Sequence, residues 1–167
     1  MMIQFSYMGL STVTLDTLKS EVESEVEGQD LTSITGLDLS HNRLQNFDFF
    51  SHLPNVETLI LDHNGLGSHL RLPNLPKLHT LWANHNKVAN LAIFVASLRV
   101  SCPALRNLSL MNNPCAPSYL NGGSVKAYRD YRLFVIGKLE TLAHLDDRPV
   151  SKIERNEAEK AYGALDL

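Results

Sequence analysis

His41, His63 and His85 each stand immediately before an asparagine and lie 22 residues apart. Side chains that recur at a fixed period come to lie beside one another when the chain folds as stacked units, roughly 4.8 Å apart if each unit contributes one strand. A column of imidazoles at that spacing, with Asp62 next to it, contains the ligand types of a zinc site. No group that would orient the rings can be argued from the sequence, however, and a polar residue at the exit of a strand needs no metal to explain it. The plainer reading is preferred, and no metal is expected. Cys102 and Cys115 are the two cysteines. They are expected as buried thiols, a bridge between neighbouring turns being the alternative. A glycine-rich phosphate loop, a nucleophile motif and carboxylates paired by spacing are all missing, and "NGG" from Asn121 is a turn signal. The expectation is therefore no enzyme and no cofactor.

The asparagines lead from this chemistry to the elements that position it. The pattern L-x-x-L-x-L-x-x-N-x-L starts at Ile34, Val56, Leu78 and Leu105, with Asn42, Asn64, Asn86 and Asn113 spaced by 22, 22 and 27 residues. These are leucine-rich repeats. Leu37 and Leu39, two apart on a short strand, point to the same side, and stacking sets them on Leu59 and Leu61, Leu81 and Ala83, then Leu108 and Leu110. Each asparagine amide is expected to satisfy backbone groups where the chain leaves the strand and turns inward, because an unpaired buried polar group is costly. Phe47, Phe50, Leu53, Leu70, Leu72 and Leu75 are expected to fill the convex side. Asn90 is placed to cap a helix over "LAIFVASLRV", which accounts for the longer period and stops before Pro103.

A solenoid exposes apolar surface at both ends and needs caps. Leu15, Leu18, Val22 and Val26 lie on one helical face that closes at Gly28, and "IQFSYMGL" adds a short strand before it. Downstream, Val125, Tyr128, Val135, Ile136 and Leu139 fall at helical intervals, and Leu139, Leu142 and Leu145 form a half repeat. "SKIE" from Ser151 is a capping box for a last helix. Along the caps, Glu21, Glu23, Glu25, Glu27, Lys152, Arg155, Glu159 and Lys160 read as solvated surface. The predicted fold is an α/β leucine-rich solenoid, right-handed, with its strands in one parallel sheet. It forms a single domain: an N-terminal cap over 1–30, four repeats over 31–116 and a C-terminal cap over 117–167.

At 167 residues the chain can bury a core without a metal or a bridge, and its net charge of -3 offers no broad grip on nucleic acid. No basic stretch precedes an apolar run at the N-terminus, and "LAIFVASL" is too short to cross a bilayer. A soluble, cytoplasmic monomer is expected, with no membrane insertion and no direct contact with nucleic acid.

The stretch "YRDYRLFVIGKLETLAHLDDRPVSKIERNEA" resembles the cap motif that follows leucine-rich repeats in the spliceosomal leucine-rich A-prime subunit, the acidic leucine-rich nuclear phosphoproteins and the melanocyte differentiation-associated leucine-rich proteins. "CPALRNLSLMNNPCAP" and the insertion after it look most like the melanocyte type, while "LDDRPVSKIERNEAEKAY" reads equally well beside the spliceosomal subunit. The acidic tail of the phosphoproteins is absent. The melanocyte-type resemblance implies an adaptor in endosome-related trafficking, with a Rab-family GTPase or the endosomal recycling machinery as partner. The spliceosomal resemblance implies a nuclear ribonucleoprotein subunit that holds an RNA-binding protein.

On either reading the candidate site is the concave face, a rigid array already organised for a partner. One column of outward positions reads Asp38, Ile60, Trp82 and Ser109; the next reads Ser40, Asp62, Asn84 and Met111. Trp82, the sole tryptophan, alternates out of phase with Leu81 and Ala83 and so is expected on this surface, where aromatic anchors often dominate binding. The alternative is that it folds over small Ala83 or lies under a terminal segment. Ile60, Trp82 and Met111 would be the apolar centre, with Asp38, Asp62 and Asn84 as rim.

Overall fold

The middle residue of each three-residue strand decides the sheet. In the computed structural model, which describes residues 1–25, 28, 30–118 and 121–163, the strands are β1 (Met2–Gln4), β2 (Gly36–Asp38), β3 (Thr58–Ile60), β4 (Thr80–Trp82), β5 (Asn107–Ser109), β6 (His144–Leu145) and β7 (Arg148–Pro149). They form one sheet in sequence order. Ile3, Leu37, Leu59, Leu81, Leu108 and Leu145 are aligned in register across it. All six are buried, so each strand hides its central side chain only because a neighbour stacks on it. The pairs are parallel up to β6, and the last, β6 with β7, is antiparallel. That hairpin departs from an all-parallel sheet: Asp146 takes a left-handed turn (φ 57°) and folds the chain back on itself.

On the convex side the first coil carries a tight helical turn over Asp48–His52, and the second runs without a helix to Leu75. Phe47, Phe50, Leu53, Leu70, Leu72 and Leu75 are all buried there. The inserted residues of the third repeat form α2 (Leu91–Ser101), after a first helix α1 (Leu15–Glu25). Asn90 accepts from the Ile93 amide at 3.1 Å and so starts α2 where the sequence placed it. Ser97 and Ser101 of α2 donate to the carbonyls of Leu70 (2.9 Å) and Leu72 (2.8 Å). The longer repeat thereby satisfies the extended segment of the shorter one.

Both ends are closed. Leu18 and Val22 of α1 are buried in the same core as Ile3 and Phe5; Val26 and Glu27, assigned to the same cap, lie outside the described residues. At the other end α3 (Val125–Lys138) buries Tyr131, Arg132, Val135 and Ile136, and α4 (Lys152–Ala158) begins with the expected capping box of Ser151 and Glu154. Val125 does not join the packed face. It stands at the first position of α3, before the helix reaches the last coil, and is exposed.

Arg155 is also not surface decoration. Its guanidinium donates to the carbonyl of Ile136, in the last turn of α3 where intrahelical partners run out, and to those of Leu139 (3.3 Å) and Leu142 (2.5 Å) in the loop that follows. The close approach that allows this depends on Gly137, where a Cβ would meet the Ala158 carbonyl oxygen at 2.8 Å and the Tyr162 Cβ at 2.9 Å. Gly137→Val is expected to destabilise the protein by about 2 kcal/mol, the usual scale of overpacking, in spite of valine's better helix propensity. Chemical denaturation checks it, and unchanged stability would mean that α3 and α4 are not seated on one another.

Candidate functional site

The site rests on the asparagine ladder. Asn64 Nδ2 donates to the carbonyls of Leu39 (2.8 Å), Leu61 (3.2 Å) and Asp62 (3.2 Å), while its Oδ1 accepts from the Leu44 amide at 3.3 Å. Asn42, Asn86 and Asn113 make the corresponding bonds to the coil before them. Each amide therefore ties two coils at the point where the strands end, and all four are buried. This makes the sheet stiff enough to present a surface without first having to order it.

The first outward column runs Gln4, Asp38, Ile60, Trp82 and Ser109 by strand register. Trp82 is 46% exposed, Asp38 and Ile60 are half-buried, and Ser109 is buried. In the second column Met111 is 41% exposed and Asp62 half-buried, whereas Ser40 and Asn84 are buried. A lateral chain of hydrogen bonds accounts for the difference. Asp62 Oδ1 accepts from the Asn84 amide (2.8 Å) and Oδ2 from Asn84 Nδ2 (3.2 Å). Asn84 Oδ1 in turn accepts from Ser109 Oγ (2.6 Å) and the Met111 amide (2.9 Å).

Asn84 and Ser109, read as site residues from the alternation, are thus consumed in joining coils and do not form part of an open rim. Ile60, Trp82, Met111, Asp38 and Asp62 remain on the surface. The two carboxylates give it negative charge, and neither outward column of the strands contains a lysine or arginine. Alternation missed Met2. Once Ile3 is recognised as the β1 counterpart of Leu37, Met2 falls on the concave side opposite Gly36 and is 42% exposed there.

The histidines occupy the residue after this second column. His41, His63 and His85 are all left-handed (φ 57°, 56° and 53°), as are Tyr7 before them and Asn112 after them (both φ 60°). Their rings are stacked, with centroids 3.9 Å apart from Tyr7 to His41 and 4.1 Å apart at each following step. The histidine planes lie within 15° of parallel, so the ring nitrogens run side by side in separate planes and cannot converge on one ion. Among the described residues no group of three or more histidines, cysteines, aspartates or glutamates is placed to hold a metal. Cys102 and Cys115 are free thiols, and burial pushes both up to about 12, which leaves them protonated and unreactive. Among the described residues no helix is long and apolar enough to cross a membrane.

Three comparisons with known proteins bear on this geometry. No curated protein matches the sequence. Among solved structures, a chain of the Drosophila melanogaster SNF/U2A′ complex is 22% identical, with a TM-score of 0.67, over 95% of this chain and 79% of that one. More remote similarities extend to the Chaetomium Mex67:Mtr2 subunits, 16% identical with a TM-score of 0.46 over 96% and 87% of the two chains. The Caenorhabditis elegans tropomodulin C-terminal domain is 12% identical, with a TM-score of 0.43 over 96% and 80%. The first of these carries the solenoid fold, and none singles out the melanocyte type. The leucine-rich repeat profile matches residues 22–165, which takes in all four repeats, the end of the N-terminal cap and most of the C-terminal one: the chain belongs to the leucine-rich repeat family.

Proposed function

We propose that the protein is a non-catalytic docking module whose concave face receives a basic, amphipathic segment of a partner protein. The observation that carries this is Trp82, exposed on a preformed sheet and paired in register with Ile60, with Met111 exposed in the next column and Asp38 and Asp62 as the charges on the same face. An apolar centre with acidic flanks selects a segment that offers an aliphatic or aromatic side chain and nearby lysines or arginines. The partner we infer is an RNA-binding protein, which follows the resemblance of the cap to the spliceosomal subunit; the fold shared with a chain of the SNF/U2A′ complex is in keeping with it. The Rab-family GTPase and endosomal setting rests on the sequence resemblance alone.

The test is a pull-down with purified protein that compares RNA-binding splicing factors with GTP-loaded Rab proteins, repeated with Trp82→Ala. The substitution is expected to weaken partner binding by about 2 kcal/mol, roughly thirtyfold in Kd, with the melting transition intact. Undiminished binding by the folded variant would rule out the concave face, and retention of Rab proteins in place of splicing factors would rule out the partner class.

A further inference from the structure

The ladder of rings that begins at Tyr7 does nothing for the concave face, since the rings stack along the strand exits and pair with one another. The stack joins the N-terminal cap to three successive repeats. Tyr7 Oη is 2.9 Å from His41 Nε2 at one end, and at the other Asn112 Nδ2 is 3.0 Å from His85 Nε2. These two contacts fix the planes of His41 and His85, the outer imidazoles of the stack. Every ring thus sits in an arrangement that suits an uncharged π system, while imidazolium groups at the same positions would be only about one ring thickness apart.

We propose that Tyr7, His41, His63 and His85 form a proton-sensitive clasp, closed when the imidazoles are neutral and opened at the N-terminal cap when they are protonated. Three unit charges spaced 4.1 Å apart repel one another strongly even near water, and the ring at the open end of the column, Tyr7, is 74% exposed and can swing away while its amide stays on the Ser40 carbonyl (3.1 Å). The repeats cannot part, because the buried asparagine ladder holds them. The groups that act on the middle ring are consistent with this. Burial, then His85, then His41 hold His63 below the ordinary histidine value, against the opposing pull of Asp62. Arg43 and Lys87, two residues beyond His41 and His85, are exposed and bring no negative charge to relieve the column.

The sign follows from linkage. A histidine depressed in the folded state binds fewer protons there than in the unfolded chain. The stability it secures is complete above the ordinary value of 6.5 and is lost as pH falls from there through the folded value of His63.

The test is an NMR titration of the whole chain that follows the seven imidazoles together with the Tyr7 ring. His63 is expected to titrate below the ordinary histidine value, because burial and its two stacked neighbours disfavour its charged form. The nuclear Overhauser contacts between Tyr7 and His41 are expected to disappear over the same range. His63→Asn, which keeps a residue suited to the left-handed turn, is expected to preserve the Tyr7 contact to lower pH. Simultaneous titration of all seven, survival of the Tyr7 contact below the His63 midpoint, or global unfolding before His63 titrates would each overturn the proposal.

Discussion

Replacing Asn86 with leucine is expected to cost about 4 kcal/mol, enough to leave a small domain close to its unfolding threshold. The side chain is only 6% exposed, and four backbone groups depend on it. Its Oδ1 accepts from the amides of Asn64 and Leu66, both at 3.0 Å, and its Nδ2 donates to the carbonyls of Leu61 (3.0 Å) and Asn84 (3.1 Å). Leucine fills the volume but pairs with none of them, and each buried group left unsatisfied costs about 1 kcal/mol or more. The loss also falls where two coils meet, so the second and third repeats are loosened together. Urea denaturation measures it. A cost below about 1 kcal/mol would mean that water takes over the four bonds and that the ladder is not what holds the coils.

The asparagines were legible before any coordinates because their chemistry and their period agree. Only a side chain with both a donor and an acceptor serves a turn that closes against its neighbour on each side, and only a solenoid needs one every 22 residues. The same agreement made Asn90 and the Ser151 box readable, since a local signal stood next to a periodic apolar run. Depth was not readable in this way. Alternation puts Asn84 and Ser109 on the concave side as surely as it puts Trp82 there, but it is silent on the sideways bond of 2.6 Å that closes Ser109 Oγ onto Asn84. Bonds of that kind depend on which residue stands opposite in the next repeat and on its rotamer, and a single strand's pattern contains neither.

The histidine column shows a second kind of gap. Its period was plain, and stacked imidazoles were anticipated. The left-handed backbone that makes the stack geometrically regular was not, because histidine carries only a weak preference for φ above zero. The signal that could have found it is Gly65, Asn112 and the histidines taken together as turn residues around each asparagine. In the C-terminal cap the misreading of Arg155 has a similar origin: on a helix otherwise rich in charge, an arginine that serves the end of another helix looks like one more solvated side chain.

Arg132 extends that argument to the second large effect. Its side chain is 5% exposed and donates to Glu154 Oε1 (2.7 Å), Glu154 Oε2 (3.2 Å) and the carbonyls of Leu145 (2.8 Å) and Pro149 (3.4 Å). It therefore joins α3, the final hairpin and α4 through one planar group, a task for which lysine lacks the geometry. Arg132→Met is expected to cost about 3 kcal/mol, at the low end for breaking a buried pair, because Glu154 keeps the Ser151 amide at 3.1 Å and some contact with water. The damage is expected to be local, since a solenoid coil touches only its neighbours. Amide exchange should rise in β6, β7 and α4 while β2, β3 and β4 stay protected.

An acid titration gives an independent reading of the same pair. Arg132 is the first cause that holds the Glu154 carboxyl below its ordinary value. The stabilisation from that carboxylate is complete above the ordinary value and is lost as pH falls through the folded one. Wild type is therefore expected to lose stability across this acid range, and Arg132→Met to show less of that loss. Faster exchange spread evenly over all strands would instead show that the cap and the repeats unfold as one unit, with Arg132 acting on the whole solenoid.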